Sequence, residues 1–239
     1  MKQIRKFGEA GWLIAMILCS LGVCMSAKSG FGVSMVVAPA YVLSNYLQPI
    51  LPFFTFGNTD YILQGLLILA VMAVVRKVKL KYPLCFLTCV IYGLMLDGWR
   101  LLFGTDIPEA LYVRIIYMIA GALVTSLSIA LYLRSFMPQQ GYELFVYEIA
   151  TEKRKNMNLV KWVYDAVSLV VAIVMMLLLF GRFDYELVGI GTLILTVINT
   201  PLIAICGRLL DKFIDFSPMF PKAAVKVFSY VAPANDAEG

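Results

Sequence analysis

The chain has 239 residues, 61% of them apolar and only 15% charged, with a mean hydropathy of +0.85 and a formal net charge of +5. Soluble domains carry about 25% charged residues, so the composition points to an integral membrane protein in a lipid bilayer and leaves a nucleic-acid partner without support. With no histidine in the sequence, H-E-x-x-H zinc sites, Ser-His-Asp triads and imidazole metal ligands are excluded.

The first apolar run, 10–27, follows a basic start and superficially resembles a signal peptide. It is longer than the roughly 7–15 residues of a signal-peptide core, and it reads as a retained first span. Further runs of spanning length, near 20 residues with a range of about 17–25, lie at 58–75, 83–103, 111–133, 160–180 and 187–206. Two connections are longer than a hairpin needs. Residues 28–57 hold the pattern Val33, Val36, Val37, Ala40, Tyr41, which predicts a short helix over 33–47 with Ser34 as its cap. Residues 134–159 predict a second short helix over 140–152, with Leu144, Phe145, Tyr147, Glu148 and Ile149 on a mixed surface. Each short helix either lies on the bilayer or dips into it where protein covers its ends.

All five cysteines (Cys19, Cys24, Cys85, Cys89, Cys206) fall inside these runs. There they act as small hydrophobes, and neither a disulfide framework nor a metal or other cofactor is expected. Of the twenty basic residues, all but Lys28, Arg100, Arg114 and Arg182 fall on one side of the six-span topology, in 1–9, 76–82, 134–161 and 207–239. By the positive-inside rule both termini are expected in the cytoplasm of a cell membrane.

The chain also carries an internal echo. LGVCMSAKSGFG (21–32) aligns with LSIALYLRSFMP (127–138), YILQG (61–65) with WVYDA (162–166), and KYPLCFLTCVIYGLMLDG (81–98) with DYELVGIGTLILTVINTP (184–201). These alignments set Lys28 on Arg134, Ser29 on Ser135, Gln64 on Asp165 and Asp97 on Thr200. In both halves the order is span, basic-Ser, short helix, span, hairpin, span. Three spans per half force the halves into opposite directions, so the expected fold is all-α: six spans as a 3+3 inverted repeat, with halves 1–108 and 109–217 and a tail 218–239. Many secondary transporters are built this way, with the substrate held near the midplane. The alternatives are an accessory, regulatory or sensor protein, or a substrate-capturing subunit of a larger transporter. No nucleophile–base pair argues for an enzyme.

Charges inside lipid are costly and mark function by default. Asp97 and Lys28 fall at one level of the bilayer, Asp165 and Arg134 at the other, so Lys28/Asp97 and Arg134/Asp165 are candidate gating pairs. The competing reading has the basic groups snorkelling and Arg100 pairing Asp97 from the next turn. Span six is interrupted by Asn199, Thr200 and Pro201, and a broken helix suits a substrate site. The loop Lys28–Ser34 presents Ser29, Gly30 and Gly32 ahead of a helix start, where an anion would be welcome. The candidate substrate residues are therefore Asp97, Trp99, Gln64, Asp165, Asn199, Thr200, Ser29, Gly30 and Gly32, with Trp99 also an interfacial anchor.

KSGFG (28–32), YGLMLDGW (92–99) and GIGTLILTVINTPLI (189–203) resemble the YczE-like branch of the YczE/YyaS/YitT group of bacterial membrane proteins, over about residues 10–210. Gly189, Gly191, Thr192, Pro201 and Ile203 fit that branch's later motif, Thr200 stands where a glycine is usual, and Val33, Ser34 and Met35 stand where Pro-Trp-Asp often follows the first glycine loop. The resemblance implies a bacterial multi-span protein of the inner membrane, often described as a transporter. A small organic solute, anion or other ion is then the expected partner, and the oligomeric state, a homodimer included, stays open.

Overall fold

The computed structural model describes residues 8–76, 79, 81–135 and 137–213. Eight helices are formed among them: α1 (Gly8–Ser29), α2 (Ala38–Leu47), α3 (Phe56–Val75), α4 (Lys81–Phe103), α5 (Leu111–Arg134), α6 (Gly141–Glu152), α7 (Met157–Phe180) and α8 (Ile190–Phe213). The described residues are all-α. Five helices, α1, α3, α4, α5 and α7, are long and apolar enough to cross a membrane. α8 joins them only if its two pieces, Ile190–Asn199 and Pro201–Lys212, count as one span bent by 41°. Pro201 removes a backbone donor inside that helix, which is reason enough for the break. The short helices form at both expected places, the first beginning at Ala38 rather than residue 33.

Leu66 and Leu69 of α3, Leu94 of α4, Ile116 of α5, and Leu178 of α7 all face outward. An apolar exterior of this extent is rare on a soluble monomer and is what lipid tails require.

α1 runs through the centre, with Ala15, Met16, Val23, Cys24 and Ala27 buried against residues of α2, α4, α5 and α7. It packs against α5 and α4. The α1–α5 crossing is a meeting of small residues: a Cβ on Gly22 would come within 2.3 Å of Thr125 Oγ1, and one on Gly121 within 2.9 Å of the Gly22 carbonyl oxygen. Without a hydrophobic drive between helices in lipid, such backbone approach supplies the packing energy.

Hydrogen bonds give the directions. Arg114, near the start of α5, donates to the carbonyl oxygens of Ser29 and Gly30 at the end of α1 (2.8 and 2.7 Å). Trp12, near the start of α1, donates to the Pro138 carbonyl beyond the end of α5 (3.0 Å). α1 and α5 are therefore antiparallel. Lys28 at the end of α1 donates to the carbonyls of Phe103 and Gly104 at the end of α4, while Arg134 at the end of α5 binds Asp211 near the end of α8 (2.7 Å). So α1 runs parallel to α4, and α5 to α8. The short helices cross over: α2 packs on α7 and α3, and α6 packs on α3 and α7.

Candidate functional site

Where α3 meets α6, polar side chains close a buried junction. Gln64 is fully buried. Its amide donates to Asp60 Oδ2 (2.6 Å), and its Oε1 accepts from the Gly141 backbone N–H (2.8 Å) and the Cys89 thiol (3.0 Å). Tyr142 donates its hydroxyl proton to Asp60 Oδ1 (2.7 Å). Gln64 thus satisfies one of the donors that a helix N-terminus leaves open, and Asp60 ties the same two helices together. The backbones nearly touch, since a Cβ on Gly141 would lie 2.9 Å from the Gln64 carbonyl oxygen.

Beside this junction lies a cavity of about 100 Å³. Its wall includes Glu143 of α6, Lys161 and Asp165 of α7, Asn199 of α8, Tyr92 of α4 and the 34–37 segment leading into α2. The space holds about three waters at their liquid volume. Two carboxylate oxygens on the wall, Glu143 Oε2 and Asp165 Oδ1, are buried without a hydrogen-bond partner from the protein. Lys161 approaches the other oxygen of Asp165 at 3.7 Å from one turn away. Asn199 sits at the break in α8 and accepts a hydrogen bond from Ser126 (3.1 Å). A second opening, apolar and about 280 Å³, lies between α3 and α7; Leu63, Leu66 and Leu67 line one side, Tyr164, Val167 and Ser168 the other. Each of these sets stands 101 residues from the other, the offset of the YILQG/WVYDA alignment.

Of the residues singled out from sequence, the cavity gathers Asp165 and Asn199, with Gln64 behind Tyr142 next door. The side chain of Thr200 lies outside the described residues. Asp97 is held elsewhere: it accepts from the Thr55 hydroxyl (2.5 Å) and the Gly57 backbone N–H (2.8 Å), at the start of α3. Thr55 is itself the cap of that helix, so Asp97 completes an N-terminus. Trp99 donates to Ser20 Oγ (3.2 Å) and leans on Phe103. Ser29 donates to the Ser26 carbonyl (2.6 Å) and accepts from Phe31 N–H (3.2 Å). Gly30 and Gly32 take positive φ (65° and 95°), a conformation suited to glycine, and bring the chain against Arg114 and the 187–192 segment. That loop locks α1 to its neighbours and spends the Gly30 and Phe31 N–H groups internally.

The four residues of the two expected gates all take other partners. Lys28 meets the end of α4, Asp97 the start of α3, Arg134 meets Asp211, and Asp165 meets Lys161. Arg100 does not pair Asp97 either; its guanidinium lies over the rings of Phe56 and Tyr41 (5.4 and 5.9 Å). Asp60, Tyr142, Glu143 and Lys161 were not anticipated. Asp60 carried a legible signal as an acid inside an apolar run; Glu143 carried none, sitting in a helix whose pattern suits a surface.

A latch lies further along α6. Glu148 is almost wholly buried and binds both Lys79 (2.6 Å) and Lys81 of the α3–α4 hairpin. Burial alone would push its carboxyl up, but the two lysines outweigh that and hold it below its ordinary value, while Glu148 raises Lys79. No group of three or more His, Cys, Asp or Glu side chains that could hold a metal occurs among the described residues.

A family model described as "Family of unknown function (DUF6198)" matches residues 8–208. No curated protein and no solved structure matches the chain.

Proposed function

The chain belongs to the family of unknown function DUF6198, and from that premise we propose that it is a secondary transporter of the cell membrane. In this reading two inverted three-span halves rock about a small-solute site. The observation that carries the proposal is the polar cavity walled by both halves of the chain, with two carboxylate oxygens left unpartnered beside Lys161 and Asn199. Uncompensated buried acceptors are costly, and a polar solute entering the cavity would supply the missing donors.

Several contacts support the inverted repeat. α1 and α5 run antiparallel. The basic residue ending each reaches the end of its parallel neighbour, Lys28 to α4 and Arg134 to α8. A side chain from the start of each caps the exit of the other, Arg114 on Gly30 and Trp12 on Pro138. The α2–α7 contact also has its counterpart in α6–α3. The bent α8 supplies a broken helix at the site, and the basic residues at the Arg134 end favour that end as cytoplasmic. The YczE-like resemblance, over nearly the same stretch as the family match, agrees with a bacterial multi-span carrier. The charge of the wall shifts the favoured solute from an anion to one bearing a hydrogen-bond donor or a positive charge.

The test is a thermal-shift screen of small organic cations, anions and amino-acid derivatives on the purified protein, followed by uptake of each hit into proteoliposomes. At least one hit should be carried by the wild type and carried at least tenfold more slowly by Asp165→Asn. No stabilising solute, and uptake equal to that of empty liposomes, would remove the transport reading.

A further inference from the structure

We propose that Asp60 is a proton-binding carboxyl that exchanges its proton with the cavity through the hydroxyl of Tyr142. This deepens the transport reading, on which it rests, by making the proton the coupling ion.

Asp60 is fully buried within α3. Both of its oxygens are met by neutral donors, the Tyr142 hydroxyl and the Gln64 amide, and among the described residues no lysine or arginine forms an ion pair with it. The titratable groups that act on it or feel its charge include Glu143 and Tyr142 from α6, Asp97, Cys89 and Tyr92 from α4, Cys19 from α1 and Tyr164 from α7, none of them a cation. The lysine on the adjoining cavity wall, Lys161 of α7, acts instead on Glu143 and Asp165. A buried carboxyl without a cation, in a helix long and apolar enough to cross a membrane, is a functional-site candidate by default, and proton relays are among the roles such acids take. A metal ion fits less well, because the two groups touching Asp60 both point hydrogens at it. The neutral acid, by contrast, needs only one of them to turn.

The route is short. Tyr142 borders the cavity and touches Asp60. A hydronium reaching the cavity gives a proton to Tyr142 Oη, one of its O–H bonds breaking to leave neutral water, while the hydroxyl's own proton crosses to Asp60 Oδ1. One O–H bond forms at each oxygen, the original Tyr142 O–H bond breaks, and the tyrosine ends neutral. Asp60 is then a donor toward Tyr142, whose hydrogen turns toward the cavity. The charge that held α3 to the start of α6 is gone. Proton occupancy thereby biases the α3–α6 contact, one of the two crossover contacts between the halves.

Infrared difference spectroscopy on the full chain in proteoliposomes tests this without a transported solute. As pH is stepped down from about 8 to about 5, the span in which buried carboxyls commonly titrate, wild type should gain a protonated-carboxyl stretch that Asp60→Asn lacks. A difference band unchanged in size and frequency in Asp60→Asn, or no band in wild type, overturns the proposal, whereas a smaller remaining band is the share of Glu143 and Asp165. Should Asp60→Asn not fold, Tyr142→Phe decides: the band should shift in frequency because the carboxyl loses its phenol partner, and an unshifted band overturns the proposal equally. A band with no flux for any solute would sink the carrier reading and leave the proton site standing; flux without the band would do the reverse.

Discussion

The α3–α6 and α2–α7 contacts each join a short helix to a long helix remote from it in sequence, yet they are finished differently. At α3–α6, Gln64 and Asp60 satisfy the start of α6, and the backbones close to the point where Gly141 has no room for a side chain. On the α2–α7 side, Asp165 occupies the position aligned with Gln64, and it faces a cavity with one oxygen unpartnered. Of two residues aligned in sequence, one is a clasp and the other an open acceptor. The lesson is that a crossover contact is sealed by a side chain able both to donate and to accept. An amide does both; a carboxylate only accepts, so it either finds a donor or waits for one.

Breaking the clasp should cost most. Gln64→Ala takes the amide donor from an Asp60 oxygen and leaves the Gly141 N–H with only its longer bond to Cys89 Sγ (3.3 Å) in a buried site, and should lower stability by about 3 kcal/mol, read as the midpoint of denaturant unfolding in detergent. Gly141→Ala forces α6 away from the Gln64 backbone and should cost about 2 kcal/mol by the same measurement. Glu148→Gln loosens the far end of the same helix by about 1 kcal/mol, a modest figure because both lysines are partly exposed. That last difference has a pH signature. The Glu148 carboxyl is held below its ordinary 4.5, so its contribution is fully present above that value and fades as pH falls through the lower folded value. Wild type and Glu148→Gln should therefore converge in acid. The smallest stability effect belongs to the open side: Asp165→Asn should change stability by less than about 0.5 kcal/mol, since it removes no hydrogen bond and only a long ion pair, while reducing flux. An Asp165→Asn loss as large as that of Gln64→Ala would erase the distinction between the two contacts.

Asp97 shows where sequence reading stops. A carboxyl near the end of an apolar run is visible in the sequence, and its cost in lipid is a sound reason to single it out. Its partners, Thr55 and Gly57, lie about forty residues earlier, at a helix start that only folding brings alongside. Asp97→Asn should consequently cost about 1 kcal/mol of stability, the scale of a lost helix cap, read by the same denaturant midpoint. Gln64 was reached by aligning the two halves rather than by any motif, and Lys161 passed as one member of a basic surface.

The helices themselves were legible because each must bury its own backbone polar groups and keep an apolar flank toward lipid, which writes length and hydropathy directly into contiguous residues. The two short helices and the break at Pro201 were written in the same local way. Which side chains meet across α3, α4, α6 and α7 was decided only by tertiary packing. Asp60 and Gln64 of α3, Cys89 of α4 and Tyr142 of α6 are brought together, and no local pattern encodes hydrogen bonds between residues 25 to 82 positions apart.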